Sequence, residues 1–432
     1  MMLVYTHKIT ARVAYTMELV FGTVLNFNYK LTDSKKEFED HKLPKLAYTN
    51  EAISEVCVQS NALLFETDIR SVLPTAEKNF TRFPKFFRST STDFLGYDIF
   101  AMVFYFSTRY EEYLTSDKDD HQRFQGEKSL VFQYNCLHIP FLNSAVEEFA
   151  LKLKNKFPEI IFNKRPFNFL STIDIDNAFA YAHKGLVRNL GGLTKDVLSV
   201  KFDKVSVRIK SNANDEQDPY NTFALINSLS KESQTALQYF VLIGDHSKYD
   251  KNPNYKSKGF RELLKSLSND HKMGLHPSYE SFNDLSKIST EKKRLEEIIE
   301  KKVTSARCHF LRVKLPETYR TFLEAGITDD YTMIYASQSG FRTGLCVPFK
   351  WFDLEKNEAT DLTIHTSVIM EGTLRDYNKL STANAKHTAL NLLSEVKKHG
   401  GEFISIFHND SFTPEQNEWI EFYEAILKES KL

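Results

Sequence analysis

An α/β architecture built on a mainly parallel sheet, open or closed into a barrel, is what the sequence predicts, and three features carry the prediction. Short strand-like runs alternate with helical stretches through the second half: FNFLSTIDID, LQYFVLIGD, KMGLHPS, SARCHFLRV, LTIHTSVIM and EFISIFHND. That is the rhythm of parallel strands joined by helical crossovers. One helix can be delimited at both ends, since Ser381 or Thr382 can cap its start, NAKHTALNLLSEVKKH has amphipathic spacing, and Gly400 and Gly401 follow. Finally, Pro158 and Pro166 interrupt the pattern just ahead of the first strand. A boundary there divides the chain into 1–165 and 166–432.

With 432 residues the chain has room for two domains, each with its own core. The first stretch, 1–165, reads as a smaller α/β accessory domain, in which ALLFETDI looks like a strand and YDIFAMVFYFSTRYEEYL has helical spacing. The segment RYEEYLTSDKDDHQRF places Arg109, Glu111, Glu112, Asp120 and His121 near a helix end, as a solvated terminus or a docking surface. A formal charge of -1 leaves no net field to recruit nucleic acid or an acidic membrane surface. The four cysteines are far apart with no C-x-x-C pair, which excludes a zinc knuckle or disulfide framework and suits a reducing compartment. The N-terminal stretch lacks the pattern of a secretory signal, and nowhere do about 18 apolar residues run together. The expectation is a cytoplasmic protein without membrane insertion and without a nucleic-acid partner.

Chemistry enters with TIDID. Side chains alternate along a strand, so Thr172, Asp174 and Asp176 share one face and Ile173 and Ile175 the other. Two carboxylates on one face repel unless a cation, a proton or a basic residue compensates. A divalent metal would do so, leaving one acid as ligand and the other as general base. The competing reading is a carboxylate-capped strand end. GLHPSYES ends another strand with His276, a candidate ligand, and Glu280 four residues on could supply an oxygen. In SARCHFLRV, alternation puts Arg307, His309 and Leu311 on one face, with Arg307 as a partner for Asp174. His408 arrives at the carboxyl end of EFISIFH, where α/β barrels keep catalytic groups.

In the order of these motifs the chain from about 166 to 432 resembles the polysaccharide deacetylase superfamily, of the carbohydrate esterase family 4 type. The resemblance implies a distorted (β/α) barrel of about seven strands, with Asp174 as base, Asp176 and His276 as metal ligands, Arg307 orienting the base and His408 as general acid. Where the family has a second histidine in H-x-x-x-H, this sequence has Glu280; His309 or Ser281 could contribute instead. The implied cofactor is a divalent metal, zinc first, with cobalt, nickel or manganese as alternatives. RYEEYL, HFLRVKLPETYR and DYTMIYASQSGFRTG also resemble a subgroup of long, mostly uncharacterised members with an extra N-terminal domain.

The segment GITDDYTMIYASQSGFRTGLCVPFKWFDL mixes aromatic and hydrogen-bonding groups as sugar sites do, making Tyr331, Tyr335 and Arg342, together with His309, candidates for binding a saccharide. The expected function is a metal-dependent hydrolase removing an acetyl group from a saccharide by cleaving a carbon–nitrogen, non-peptide bond. The alternative is a catalytically degenerate barrel that binds a saccharide or a protein.

Overall fold

The computed structural model describes residues 1–51, 53–76, 80, 82–89, 93–200 and 202–431. Its contacts divide the chain into two units: Met1–Asn168 with Met333–Thr366 and Leu392–Phe403, and Phe169–Thr332 with Ser367–Asn391 and Ile404–Leu432. Where the sequence places one boundary at 165/166, the first unit takes in two later segments as well. Specific bonds hold them: Arg12 Nε donates to Asn357 Oδ1 at 2.9 Å, Tyr15 donates to the Lys350 carbonyl at 2.8 Å, and Ser144 Oγ lies 3.2 Å from His399 Nε2.

In the first unit a parallel sheet runs in the order Tyr29–Thr32, Met2–Thr6, Lys45–Tyr48, Cys57–Val58. Its central strand, MLVYT, is buried throughout, as a continuous apolar run flanked on both sides should be. The expected helix in YDIFAMVFYF is present as Ile99–Ser107, capped by Asp98, whose Oδ1 accepts from the Ala101 amide at 2.9 Å. ALLFETDI is not a strand: Ala62–Phe65 forms a 3-10 turn because the Asn61 side chain accepts from the Leu63 amide. This unit also holds the antiparallel pair Phe349–Asp353 and Glu358–Ile364.

In the second unit the strands follow the order Asp329–Asp330, Ser305–Ala306, Lys272–Leu275, Ala236–Val241, Phe167–Ile175, Gly401–His408, Ser367–Met370. Each registered pair among them is parallel. These strands belong to a curled sheet of nine strands, a half-barrel where the sequence leads to a distorted barrel of about seven. Residues 171–175 of the central strand are all buried, with Ile173 and Ile175 fully so. Phe240, Tyr331 and Ile404 pack together with Leu170 beneath the chemistry-bearing end.

Two expected strands are shorter than their sequence patterns. SARCHFLRV is extended only over Ser305–Ala306; Phe310 and Leu311 take φ of 59° and 55°, and left-handed backbone cannot continue a strand. The alternation proposed for Arg307, His309 and Leu311 therefore does not apply. LTIHTSVIM splits into Glu358–Ile364 and Ser367–Met370, with His365 and Thr366 between them.

Candidate metal centre

The carboxyl ends of neighbouring strands bring the charged residues of the second unit together, which is where open α/β sheets hold ligands. Phe167–Ile175 delivers Asp174 and Asp176, Lys272–Leu275 delivers His276, Ser305–Ala306 delivers Arg307 and His309, Gly401–His408 ends in His408, and Ser367–Met370 is followed by Glu371. Each strand is tied by its ladder, so the residue just past its end has a defined position.

Asp176 is the centre of the cluster. Its Oδ1 lies 3.2 Å from His276 Nε2, and its Oδ2 lies 3.2 Å from His309 Nε2 and 3.8 Å from His408 Nε2. Each of these rings is held at its other nitrogen. His276 Nδ1 donates to the Arg307 carbonyl at 2.6 Å, His309 Nδ1 to Asp250 Oδ1 at 3.0 Å, and His408 Nδ1 to Glu371 Oε1 at 2.7 Å. With Nδ1 carrying the hydrogen, the neutral ring presents its Nε2 lone pair. For His276 that lone pair faces Asp176 Oδ1, a buried oxygen with no hydrogen-bond partner. Two acceptors facing each other at 3.2 Å require a cation between them or a proton on the ring.

The proton affinities express the same tension. Burial alone would raise the Asp176 carboxyl, but His309, His276 and His408 hold it well below the usual carboxylate range. Burial would lower His309, yet Asp176 and Asp250 push it up to about 9. His408 is likewise opposed by burial and raised well above the ordinary imidazole value by Glu371, with Asp176 and Asp174 adding to it. Glu371 and Asp250 are both driven up by burial and brought below the usual range, Glu371 by His408 and Asp250 by His309 and its hydrogen-bond donors.

Asp176, His276 and His309 offer one ligand atom each, all within 4.8 Å of one another. One carboxylate and two imidazoles fit a zinc-type ion, and the orphaned Asp176 oxygen gives that ion a place. Beside them Arg307 Nη1 donates to Asp174 Oδ1 at 2.7 Å, while its Nε donates to the Tyr331 carbonyl at 3.1 Å and its guanidinium lies 4.4 Å from the Phe240 ring centre. Asp174 Oδ2 is left 3.9 Å from His276 Nε2.

Not every sequence candidate arrives here. Glu280 is exposed on the 3-10 turn Tyr279–Ser281 and is not in the ligand group; His309, expected to bind substrate or to stand in for the missing histidine ligand, is the third member of that group. The turn at Phe310 brings this about, since it leaves His309 at the strand's mouth. Tyr331 is buried against Phe240, and its described bonds to this cluster run through its backbone carbonyl. Tyr335 and Arg342 belong to the first unit, where both are buried among Arg109 and Glu112, so burial removes them from a sugar-binding surface. The same network overturns the solvated-terminus reading of Arg109, Glu111 and Glu112. Sequence reasoning missed Asp250 and Glu371. Glu371 carried a signal, a carboxylate directly after the apolar run SVIM.

Residues 2–158 match a family described as "Family of unknown function (DUF7033)". No curated protein matches the chain. Among solved structures, the chain is similar to a putative polysaccharide deacetylase from Mycobacterium smegmatis, at 15 % identity over 61 % of this chain and 85 % of that one, with a TM-score of 0.40. It is also similar to the polysaccharide deacetylase Bc1974 from Bacillus cereus, at 15 % identity over 62 % of this chain and 86 % of that one, with a TM-score of 0.31.

Proposed function

We propose that the second unit is a metal-dependent hydrolase of the carbohydrate deacetylase type, removing an acetyl group from an acetylated saccharide, with the first unit as an accessory domain. The observation that carries this reading is the arrangement around Asp176: a ligand group on one side, an arginine-held carboxylate and a carboxylate-held histidine beside it.

Asp176, His276 and His309 would hold the ion, which when bound supplies polarisation of the acetyl carbonyl and a site for the attacking water. Asp174 then serves as general base. Its Oδ1 is pinned by Arg307, so its Oδ2 is the oxygen that takes the proton from water. Arg307 fixes the orientation of Asp174, being itself held through three separate contacts, to Asp174, the Tyr331 carbonyl and Ser367. His408, kept protonated by Glu371, gives its Nε2 proton to the departing amine. The Glu371 carboxylate is itself fixed by the His408 amide and the Ser411 hydroxyl, both at 2.8 Å.

The binding-module alternative drew its main support from the replaced second histidine, and the placement of His309 beside Asp176 and His276 favours the hydrolase reading over it. The test is metal content and acetate release together. Protein equilibrated with zinc, cobalt, nickel or manganese should hold about one ion per chain and release acetate from members of a panel of N-acetylated saccharides. Full metal loading with no acetate released from any substrate would defeat the hydrolase reading.

A further inference from the structure

Helices Leu186–Leu198 and Phe202–Ala213 pair with polar groups between them. Arg208 Nη2 donates to Asp196 Oδ2 at 2.8 Å, Arg208 Nη1 donates to Asn189 Oδ1 at 3.4 Å, and Asn189 Nδ2 donates to Asn212 Oδ1 at 2.8 Å. The Asp196 and Arg208 side chains are each only 13 % exposed. The guanidinium crosses the first helix at Gly192, where a Cβ would come within 2.6 Å of its nitrogens. Several large apolar side chains of the two helices are exposed: Leu190 is 61 % exposed, Leu198 79 %, Phe202 64 % and Ile209 59 %. Leu190 and Val197 are seven apart, as are Phe202 and Ile209, so each pair lies on one stripe of its helix. A helical pair in water ordinarily buries such stripes and exposes its ions. This one exposes apolar residues on both helices and shields the Asp196–Arg208 pair.

Charge supplies the second observation. Residues 184–210 contain seven lysines and arginines against two acids, Asp196 and Asp203, in a chain whose formal charge is -1. The balance of the whole chain conceals a strongly basic segment. We propose that this hairpin lies on an anionic membrane surface, its apolar stripe in the boundary between headgroups and acyl chains and its lysines against lipid phosphates. A second copy of the chain is the poorer occupant, because two such hairpins face to face would set like charges together. No described helix is long and apolar enough to cross a membrane, and the docking needs none. The hairpin follows the strand that carries Asp174 and Asp176, so it leaves the sheet at the end where those carboxylates sit. The proposal stands whether or not that site is a hydrolase.

The full chain should be sedimented with vesicles of phosphatidylcholine alone and of phosphatidylcholine with phosphatidylglycerol. Binding to the anionic vesicles should exceed binding to the neutral ones by about tenfold or more and weaken with added salt. The double variant Leu198→Asp with Phe202→Asp should lose that binding by about tenfold at an unchanged melting temperature, because both side chains are exposed. Lys204→Glu with Lys210→Glu, also exposed, should weaken it several-fold. Wild type that stays in the supernatant, or an aspartate variant that still pellets, overturns the proposal. So does a lowered melting temperature in that variant, or a dimer that it splits, since either shows the face covered by protein.

Discussion

Each of the two units buries a cluster of ionised side chains, and the two clusters balance their charge differently. In the first, Arg109 donates to Glu111 and Glu112 at 2.7 and 2.8 Å and to the Tyr335 hydroxyl and the Arg342 carbonyl, both at 2.6 Å. Arg342 meets Glu112 through two nitrogens at 2.6 and 3.0 Å and reaches the Ile334 carbonyl at 3.0 Å. Two cations face two anions. Burial tends to raise Glu112, but Arg342 and Arg109 bring it to about 2. In the second, Asp174, Asp176, Asp250 and Glu371 meet the Arg307 guanidinium and three imidazoles, and Arg375 reaches Glu371 by way of the Ser411 hydroxyl. The charge around Asp176 is made up by protons on the rings or by an added cation, and among the described residues its Oδ1 has no hydrogen-bond partner. A buried network that closes on itself is architecture; one left short of positive charge is a place for chemistry.

That contrast can be broken or sharpened by substitution. The largest effect belongs to Asp176→Ala, which should abolish stoichiometric metal binding, read by elemental analysis beside wild type. His276→Ala should do the same, whereas Glu280→Ala should leave the content unchanged. Next, Asp174→Asn should keep the metal and lower turnover by about 10²- to 10⁴-fold, the usual worth of a general base. Retained turnover would assign the proton transfer elsewhere. In the closed network, Glu112→Ala takes from buried Arg342 the carboxylate it bonds and leaves Arg109 with the Glu111 carboxylate only, and should cost about 3–5 kcal/mol of stability, measured by denaturant unfolding, with metal content intact. The smallest effect is expected of Asp250→Ala, which frees the His309 ring and should weaken metal affinity by about 10- to 100-fold, a loss that Asp250→Asn should partly restore. Equal metal affinity in the alanine variant would show His309 positioned by its backbone alone.

The two clusters also differ in how far they could be read beforehand. Asp174 and Asp176 were legible because strand alternation is local and TIDID shows it, and His276 and His408 because each follows a short apolar run. His309 was legible as one of several possible ligands, beside Glu280 and Ser281, but the choice among them was not: its place depends on a strand ending at Ala306 and on left-handed backbone at Phe310. Asp250 reaches His309 from 59 residues away and Glu371 reaches His408 from 37, distances over which no periodicity carries information. Tyr335 and Arg342 looked like sugar contacts for a similar reason, since the partners that neutralise Arg342 lie in a different stretch of the chain.

By itself the sequence determined the elements set by neighbouring residues: the run and face of the 167–175 strand, the limits of the helix Thr382–His399, the strand that closes on His408. These depend on periodicity, caps and glycines within a few residues. Tertiary structure alone decided which charges are balanced, turning Glu280 outward and His309 inward and closing one ionic network while leaving the other short of a cation. Coulomb interaction and desolvation depend on distance and burial in space, and strand order, rather than sequence spacing, sets both.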